Sequence, residues 1–391
     1  MIVAANIIFW TCLLAVFHSY VLFPIILRVT GAFRKFPAEY PETDVEKPMV
    51  SILLAAFNEE AVIEEKIRSV FRTSYPAGRF ELVIGSDHST DRTAKIIDRL
   101  SGEFSGLRFY NYIERQGKPN VINKLAKEAQ GEILILTDAN VMFDENTLCR
   151  IIDPFIDPII GLVDTQMINI GMKREGISYQ EKAYISREVQ IKYLESRLWG
   201  AMMGPFGGCF AIRAHLFETV PENFLVDDFF LNMKVLESGY QAVNNPGARV
   251  YEDVSNDLSI EFKRKIRIAT GNFQNLKRFR KLLSPAKPAV SFCFLSHKVI
   301  RWLGPVFLLL ALLTLIFLAF FSLYYLGLLI VYLVVLIVPA LDYLLKKLNL
   351  HFKFLRFITH FLGMNLALSI GMVRYLKGVK TNVWQPTKRY Q

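Results

Sequence analysis

Long apolar segments at both ends of the chain constrain its fold more than any other feature. Ile2–Leu27 is apolar over more than the roughly 20 residues that a helix needs to cross a bilayer. Leu303–Ser322 and Tyr325–Leu345 are two further segments of this length. The chain is therefore predicted to be a multi-pass protein of a plasma or inner membrane, with a less apolar region between its spans.

Basic residues next to these segments predict the orientation. Arg28, Arg34 and Lys35 follow the first segment, so the positive-inside rule places the middle region in the cytoplasm. No basic residue precedes that segment, which disfavours a signal peptide. A third C-terminal segment, Phe354–Leu376, could span the membrane, re-enter it or lie at its surface, and the charge rule leaves these alternatives open.

The composition indicates acidic partners other than nucleic acid. Hydrophobic residues make up 52% of the 391 residues, and the formal net charge is +10. No nucleic-acid-binding module is visible, and the basic residues flank the apolar segments, so phosphates and membrane lipids are the expected partners. The four cysteines lack the spacing of a metal site or a disulfide framework, which agrees with a reducing cytoplasm.

From Pro48 onward, short apolar runs alternate with amphipathic segments. This alternation is typical of an α/β fold, a mostly parallel sheet with helices on both faces. Strands are predicted at Val50–Ala56, Leu82–Gly85, Leu107–Tyr110, Ile133–Thr137 and Gly161–Ile170. Helices are predicted at Glu59–Arg72, Asp91–Leu100, Pro119–Gln130, Ser178–Leu198 and from Val226 to about Ser238.

The segment GEILILTDAN, Gly131–Asn140, is the central candidate for a ligand site. An apolar strand runs into Asp138, and Asn140 follows two positions later. Two oxygen-bearing side chains at this spacing can reach one Mg²⁺ or Mn²⁺, which takes its other ligands from substrate phosphates. The same pair could instead begin a turn or cap the helix near Glu145. Taken alone, the segment leaves both interpretations open.

Polar residues also follow the first two strands. Phe57-Asn58-Glu59 follows the first strand, where acidic side chains could simply favour a helix N-terminus. Asp87 ends the second strand, a position where a carboxylate commonly binds a ribose or a base. Lys118 follows a glycine and could meet a phosphate, although the spacing is not that of a P-loop.

The second half of the chain adds candidates for an acceptor site. The adjacent glycines Gly207 and Gly208 let the backbone approach a bulky group closely, or else form a turn. Asp227 and Asp228 begin a helix, where acids often act as caps but can also take a proton from a hydroxyl group. Ser259–Leu283 is strongly basic and fits a membrane surface.

Together these motifs resemble family 2 glycosyltransferases, specifically the membrane-anchored branch with the hyaluronan, poly-N-acetylglucosamine and cellulose synthases. The resemblance covers Pro48 to about Phe279. SILLAAFNEE resembles the family's first strand, SDHSTDRT its Asp-Asp-Gly-Ser-Thr-Asp loop, LTDAN its Asp-x-Asp metal motif and VDDFFLNMKVLESGY its Thr-Glu-Asp segment. It implies a GT-A-like domain that binds a nucleotide-diphospho-sugar, expected to be a UDP-sugar, and transfers the sugar with inversion to a lipid-linked or polysaccharide acceptor.

The resemblance also implies roles for individual residues. The donor-binding residues would be Phe57, Asn58, Glu59, Asp87, Lys118 and Asp138. A divalent cation, Mg²⁺ or Mn²⁺, would bind Asp138 and Asn140. Asp228 would be the catalytic base, with Asp227 as the alternative. The acceptor would lie near Gly207, Gly208, Arg264 and Arg267.

The sequence departs from the family pattern at several positions. Ser86 and His88 stand where Asp and Gly are usual, and Asn140 replaces the second metal-binding Asp, which removes one formal charge. The segment RKIRI matches the processive enzymes' Gln-x-x-Arg-Trp only at Arg267 and lacks the Trp that would stack on a sugar. Since the spans also contain few polar groups, one or a few additions are expected, unless Trp199 and Trp302 provide stacking or a homo-oligomer forms a channel.

The predicted organisation has five parts. These are an N-terminal span (1–30), a cytoplasmic glycosyltransferase domain (31–258), basic interfacial helices (259–301), C-terminal membrane helices (302–377) and a basic tail (378–391). A processive synthase that also translocates its product is the alternative within this class. A transporter or scaffold would explain the spans but not the ordered carboxylates, and a glycosidase would use two carboxylates without a nucleotide site.

Overall fold

A computed structural model describes residues 1–34, 36, 40, 46–170, 178–253, 258–348, 350 and 352–379. Lys35 and most of the predicted basic tail, from 380 onward, lie outside the described residues.

An eight-stranded sheet forms the centre of the middle region. Its strands are β1 Val50–Ala56, β2 Phe80–Asp87, β3 Leu107–Tyr112, β4 Ile133–Thr137, β5 Val141–Phe143, β6 Ile160–Ile170, β7 Cys209–Arg213 and β8 Gln241–Asp253. They lie in the order β3-β2-β1-β4-β7-β6-β8-β5. The first four strands in this order are parallel, as predicted, whereas β7 runs antiparallel to β4 and β6, and β5 antiparallel to β8. The α/β prediction is confirmed, with a mixed sheet.

Helices cover both faces of this sheet. Those of the middle region are α3 Ile63–Phe71, α4 Thr93–Ser101, α5 Lys118–Glu128, α6 Thr147–Ile152, α7 Ser178–Trp199 and α8 Asp227–Glu237. Short 3₁₀ turns occur at Asp153–Ile156, Ala214–Leu216 and Arg280–Leu283. In β1, Ile52 and Leu54 join the core on one face, while Leu53 and Ala55 join the core on the other. Burial on both faces explains why these strands are continuous apolar runs.

Most predicted elements agree with the structure to within a few residues. The helix predicted from Glu59 begins only at Ile63, because residues 59–62 form a turn after β1. Asn58 has a positive φ of 52°, which a helix does not contain. A short strand, β5, follows Asn140 directly, so the helix expected near Glu145 begins instead at Thr147.

The apolar ends of the chain form further helices. They are α1 Ile2–Phe17 and α2 Phe23–Ala32, followed after the sheet domain by α9 Leu258–Phe279, α10 Pro288–Cys293, α11 Ile300–Trp302, α12 Gly304–Ala319, α13 Leu323–Lys347 and α14 Lys353–Leu376. By length and composition, three described helices could cross a membrane: Ile2–Ala32, Leu323–Lys347 and Lys353–Leu376. A fourth is possible if the bent pair Pro288–Trp302 and Gly304–Ala319 is one span.

Helix α14 packs on α9 and on the start of α12. Gly371 lies so close to α9 that a Cβ there would lie 2.5 Å from Cβ of Ala269. The Tyr375 ring stacks on Phe273 at 6.1 Å between centroids. Asn365 is buried against Gly304, the first residue of α12. These contacts fit each of the alternatives that the sequence left open for this segment.

A buried polar network joins the membrane helices to the domain. Two π-helical segments, His18–Leu22 and Phe294–Val299, face each other, and the Ser19 hydroxyl donates to the carbonyl of Ser296 at 2.5 Å. The fully buried His297 ring contacts Glu188 (2.6 Å) and Glu195 (2.8 Å) of α7. Glu195 also accepts the backbone N–H of Met203 at 3.1 Å. The network therefore extends from the first membrane helix to the segment that precedes Gly207.

Candidate active site

Most of the predicted site residues meet at one edge of the sheet. Asp87 ends β2, Asp138 follows β4 directly, and Asp227 and Asp228 form the first turn of α8. Because β2, β1 and β4 are adjacent and parallel, the side chains that follow them share this edge.

Lys118 and Asp138 form an ion pair in this site. Lys118 Nζ lies 2.6 Å from Asp138 Oδ1. Burial lowers the pKa of Lys118, but the carboxylates of Asp138, Asp227 and Asp228 outweigh burial and raise it. Lys118 is therefore a permanent cation, able to bind the phosphates of a ligand.

The two adjacent glycines contact both acidic groups. The Gly208 carbonyl accepts the backbone N–H of Asp138 at 3.0 Å. Gly207 has a φ of 80°, and a Cβ at this position would lie 2.4 Å from Oδ2 of Asp228. Only glycine fits this approach without displacing the carboxylate. The backbone at Gly207–Gly208 thus connects Asp138 with Asp228.

Asp228 has the properties of a general base. Burial, and then the like charge of Asp227, raise the pKa of Asp228 to about 6. The Phe229 N–H donates to its Oδ1 at 2.7 Å and holds the carboxylate in place. A carboxylate with this pKa is ionised at neutral pH and is more basic than an ordinary aspartate, which suits removal of a proton from a hydroxyl group.

Asp87 lies beneath a loop, not at an open edge of the sheet. Its side chain is fully buried, and its two oxygens accept the N–H groups of Gln116 (2.7 Å) and Gly117 (2.9 Å). Gly117 has a φ of 88°, and Lys118 begins α5 immediately after it. Asp87 therefore positions the loop that carries Lys118, while its contact with a ribose or base stays a prediction.

The residues after β1 form a second wall. The Arg115 guanidinium lies 3.4 Å from the centre of the Phe57 ring, which makes a flat surface on which a base could stack. Asn58 Oδ1 accepts the N–H of Thr90 at 2.8 Å. The backbone N–H of Glu59 donates to the hydroxyl of Thr93, the first residue of α4, at 2.8 Å. These bonds fix the first loop against the second.

The two predicted metal ligands have different partners. Asp138 pairs with Lys118, whereas the amide nitrogen of the buried Asn140 donates to Glu252 Oε1 at 2.8 Å. Antiparallel pairing of β5 with β8 brings Glu252 beside Val141. Glu252 thus lies near the position where the family pattern has a second carboxylate.

These donor atoms fit a cation that a substrate helps to bind. Among the described residues, no three His, Cys, Asp or Glu side chains converge, so the chain alone provides no complete site. Carboxylate and amide oxygens are the donors that Mg²⁺ and Mn²⁺ prefer, and Mg²⁺ commonly takes its other ligands from phosphates. Lys118 occupies one oxygen of Asp138 and leaves the other for such a cation.

Two basic residues of α9 lie close to the site. Burial lowers the pKa of Arg267, and the nearby carboxylates of Asp227 and Asp228 oppose this change. Arg267 also donates to the Leu225 carbonyl at 3.2 Å. Arg264 pairs with Glu261 one turn earlier at 3.4 Å. Both predicted acceptor arginines therefore border the site.

Lys66 supports the site and was not identified from the sequence. It is fully buried in α3 and donates to Thr137 Oγ1 (2.9 Å) and the Val141 carbonyl (2.5 Å), on either side of Asp138. Burial lowers the pKa of Lys66 to about 7. Its position three residues after Ile63, on the apolar face of the helix, is the signal that could have revealed it. Arg115 and Glu252 had no such signal.

The two tryptophans considered for acceptor stacking both pack against other aromatic rings. Trp302 packs edge-on against Phe229 at 5.3 Å and is only 6% exposed. Trp199 is partly buried and packs edge-on against Phe292 at 5.8 Å. Trp302 is thus enclosed in the core, and a stacking role for Trp199 stays a prediction.

Comparison with known proteins relates this geometry to a family. Residues 51–220 match the family model of glycosyl transferase family 2. A probable glycosyltransferase of Bacillus subtilis, YdaM, is 24% identical over 265 residues, which cover 62% of this chain and 61% of the relative. A beta-monoglucosyldiacylglycerol synthase of Nostoc sp. is 29% identical over 155 residues, 39% of this chain and 33% of the relative. The matches thus span less than two thirds of these relatives.

A solved structure resembles nearly the whole chain. It is a mannosyltransferase of Pyrobaculum calidifontis in complex with GDP-Man and Mn²⁺, with a TM-score of 0.72 and 21% identity, covering 94% of this chain and 99% of that one. At this identity the likeness establishes the fold alone. Residues 51–220 therefore match the glycosyl transferase family 2 model, and the chain has a GT-A-like fold.

Proposed function

We propose that the protein is a membrane-anchored, inverting glycosyltransferase that moves a sugar from a nucleoside diphosphate sugar to a hydroxyl group of a membrane-embedded acceptor, at the cytoplasmic face. The observation that carries this proposal is the convergence of Lys118, Asp138, Gly207 and Asp228. A cation for phosphates, a carboxylate for a metal and a base of raised pKa lie within one continuous set of contacts.

Asp228 performs the proton transfer in this proposal. Its carboxylate takes the proton of the acceptor hydroxyl as the oxygen attacks the anomeric carbon of the donor sugar. The bond from that carbon to the diphosphate breaks, and the nucleoside diphosphate leaves with the bonding electrons. A single displacement from the opposite side inverts the anomeric centre.

Lys118 holds the leaving group. It binds a phosphate oxygen directly, because its pKa keeps it charged. Asp138, with the oxygen atoms near it at Asn140 and Glu252, would hold a divalent cation, which would supply further positive charge for the leaving diphosphate. Asp87 takes no direct part in the transfer. It holds the loop that positions Lys118.

The acceptor is proposed to be a lipid that receives one or a few sugars. The basic helix α9 and the buried network, which join the site to the apolar terminal helices, support a membrane-embedded acceptor. The Trp302 ring, which could have stacked on a growing chain, packs in the core instead. One relative is, by its name, a synthase of a glucosylated diacylglycerol. The donor base and sugar remain open between UDP- and GDP-sugars.

Release of nucleoside diphosphate tests the proposal. Purified full-length protein in lipid nanodiscs is incubated with radiolabelled UDP- and GDP-sugars and a lipid extract, and the Asp228→Asn variant serves as the control. Label in the lipid fraction that depends on Asp228 supports the proposal. A transporter or scaffold would release no nucleoside diphosphate, and labelled high-molecular-weight product on gel filtration would show a processive synthase instead.

A further inference from the structure

A basic cavity of about 630 Å³ lies beyond the candidate active site, where α8, the C-terminal end of α9 and the last turn of α14 meet. Its lining includes Lys277, Arg278, Arg280 and Lys281, together with Glu237 and Tyr375. The volume lies within the range of small-molecule sites.

The positive charge of the cavity exceeds what its own acid neutralises. Glu237 already pairs with Arg278 at 3.2 Å and with Lys234 at 2.8 Å. Within the described part of the chain, Lys277, Arg280 and Lys281 have no carboxylate at ion-pair distance, and all three are exposed. Three cations around a concave surface favour an anion with several oxygen atoms, such as a phosphate.

Contacts among α9, α14 and the segment before α8 fix the walls of the cavity. Tyr375 ends the apolar helix α14 and stacks on Phe273 of α9. Gln274 donates to the Asn223 carbonyl at 2.8 Å and accepts the Leu225 N–H at 3.1 Å, which holds the segment before α8. A tyrosine beside lysines and arginines is typical of the level of lipid headgroups.

The position of the cavity distinguishes it from the reaction site. Glu237 is the last residue of α8 and Asp228 the second, so the cavity lies roughly 14 Å along the helix from the base. A phosphate bound here is too far from Asp228 to belong to the reacting diphosphate. We propose that this cavity binds the phosphate headgroup of an anionic membrane phospholipid, at a site separate from the reaction.

Native mass spectrometry of the full chain in neutral detergent tests this proposal, with phosphatidylglycerol and phosphatidylcholine as probes. We expect one phosphatidylglycerol to bind in preference to phosphatidylcholine. The variant Lys277→Ala/Lys281→Ala should bind it about 25-fold more weakly, since each lysine lost near an anionic headgroup weakens binding roughly fivefold. The matched variant Lys346→Ala/Lys347→Ala removes the same charge at the end of α13 and should bind normally.

Several results would overturn the proposal. Equal losses in both variants would show diffuse attraction of lipid to a basic surface, and equal binding of phosphatidylcholine would exclude recognition of charge. Displacement of the lipid by an equimolar amount of inorganic phosphate would indicate a site for a free anion. Because the four lysines are exposed, the unfolding temperatures of both variants should equal that of the unmodified chain. The measurement needs no transferase activity, so its result tests lipid binding independently of the proposed function.

Discussion

The backbone of Gly207 lies against the carboxylate of Asp228, so closely that a Cβ would come within 2.4 Å of Oδ2. Two residues that are distant in sequence therefore depend on each other. The Asp228 carboxylate can lie here only because residue 207 has no side chain. The loop that contains Gly207 passes close to this carboxylate, and its next residue then contacts Asp138.

A first prediction concerns this contact. Gly207→Ala should lower kcat by about tenfold or more, because the methyl group displaces the base and small misplacements are costly in catalysis. The φ of 80° adds a strain of about 1–2 kcal/mol. Gly239→Ala is the control, since Gly239 has a φ of 90° but nothing within 4 Å of its Cβ position. Both variants should lose similar stability, and an equal loss of kcat in both would contradict the contact as the cause.

The second prediction concerns pH. Asp228 must be ionised to accept a proton, so kcat should fall as the pH drops through about 6, its raised pKa, and be level above it. Asp227→Asn removes the like charge that contributes to this shift, so the acid limb should move to lower pH. Glu222→Gln, which removes an exposed acid before α8, is the control and should leave the profile unchanged. An acid limb that does not move in Asp227→Asn would exclude Asp228 as its source.

The third prediction concerns the divalent cation. Asp138→Ala should abolish Mn²⁺ binding in the presence of a nucleoside diphosphate. Asn140→Asp should raise the affinity about tenfold, because it adds a carboxylate beside Glu252, whose oxygen lies 2.8 Å from the present amide nitrogen, and added negative charge favours a divalent cation. Glu252→Gln should lower the affinity of the unmodified chain by a similar factor. Electron paramagnetic resonance of free Mn²⁺ gives these constants, and unchanged binding in Glu252→Gln would show that Glu252 does not contribute to the site.

The fourth prediction assigns Asp87 a positioning role. Asp87→Asn replaces one acceptor of the loop N–H groups by a donor, so the loop that carries Lys118 should loosen. The dissociation constant of the nucleoside diphosphate should rise about tenfold, as expected for one buried hydrogen-bonding group left unsatisfied. If Asp87 acts through Lys118, the double variant Asp87→Asn/Lys118→Met should have the same dissociation constant for the nucleoside diphosphate as Lys118→Met alone. Calorimetry measures both constants. Additive effects would show instead that Asp87 contacts the donor independently.

Local patterns were sufficient to predict several parts of the structure. Strands β1 and β4 have the bounds that were predicted, because apolar runs buried on both faces end sharply at polar residues. Asp138 and Lys118 were expected near a diphosphate, and they form an ion pair. The order of the motifs along the chain allowed these side chains to be placed at one sheet edge.

Contacts between distant segments were not predictable in this way. Glu252 meets Asn140 only because β8 pairs with β5, and the strand order cannot be read from either segment. The burial of Asp87 depends on how the loop before α5 folds over β2. The direction of β7, which makes the sheet mixed, likewise follows from a long excursion through α7.

The network around His297 has a mechanical consequence. The contacts of His297 with Glu188 and Glu195 lie beside the buried ion pair of Arg301 with Glu188. Breaking one partner of such a pair costs about 3–5 kcal/mol, which makes this region a stiff joint, not a hinge. Glu195 continues this joint to Met203, four residues before Gly207. The sheet domain is therefore held in one position relative to the apolar terminal helices. Under the proposed function, the base would have one height relative to the membrane, and an acceptor would have to present its hydroxyl group at that height.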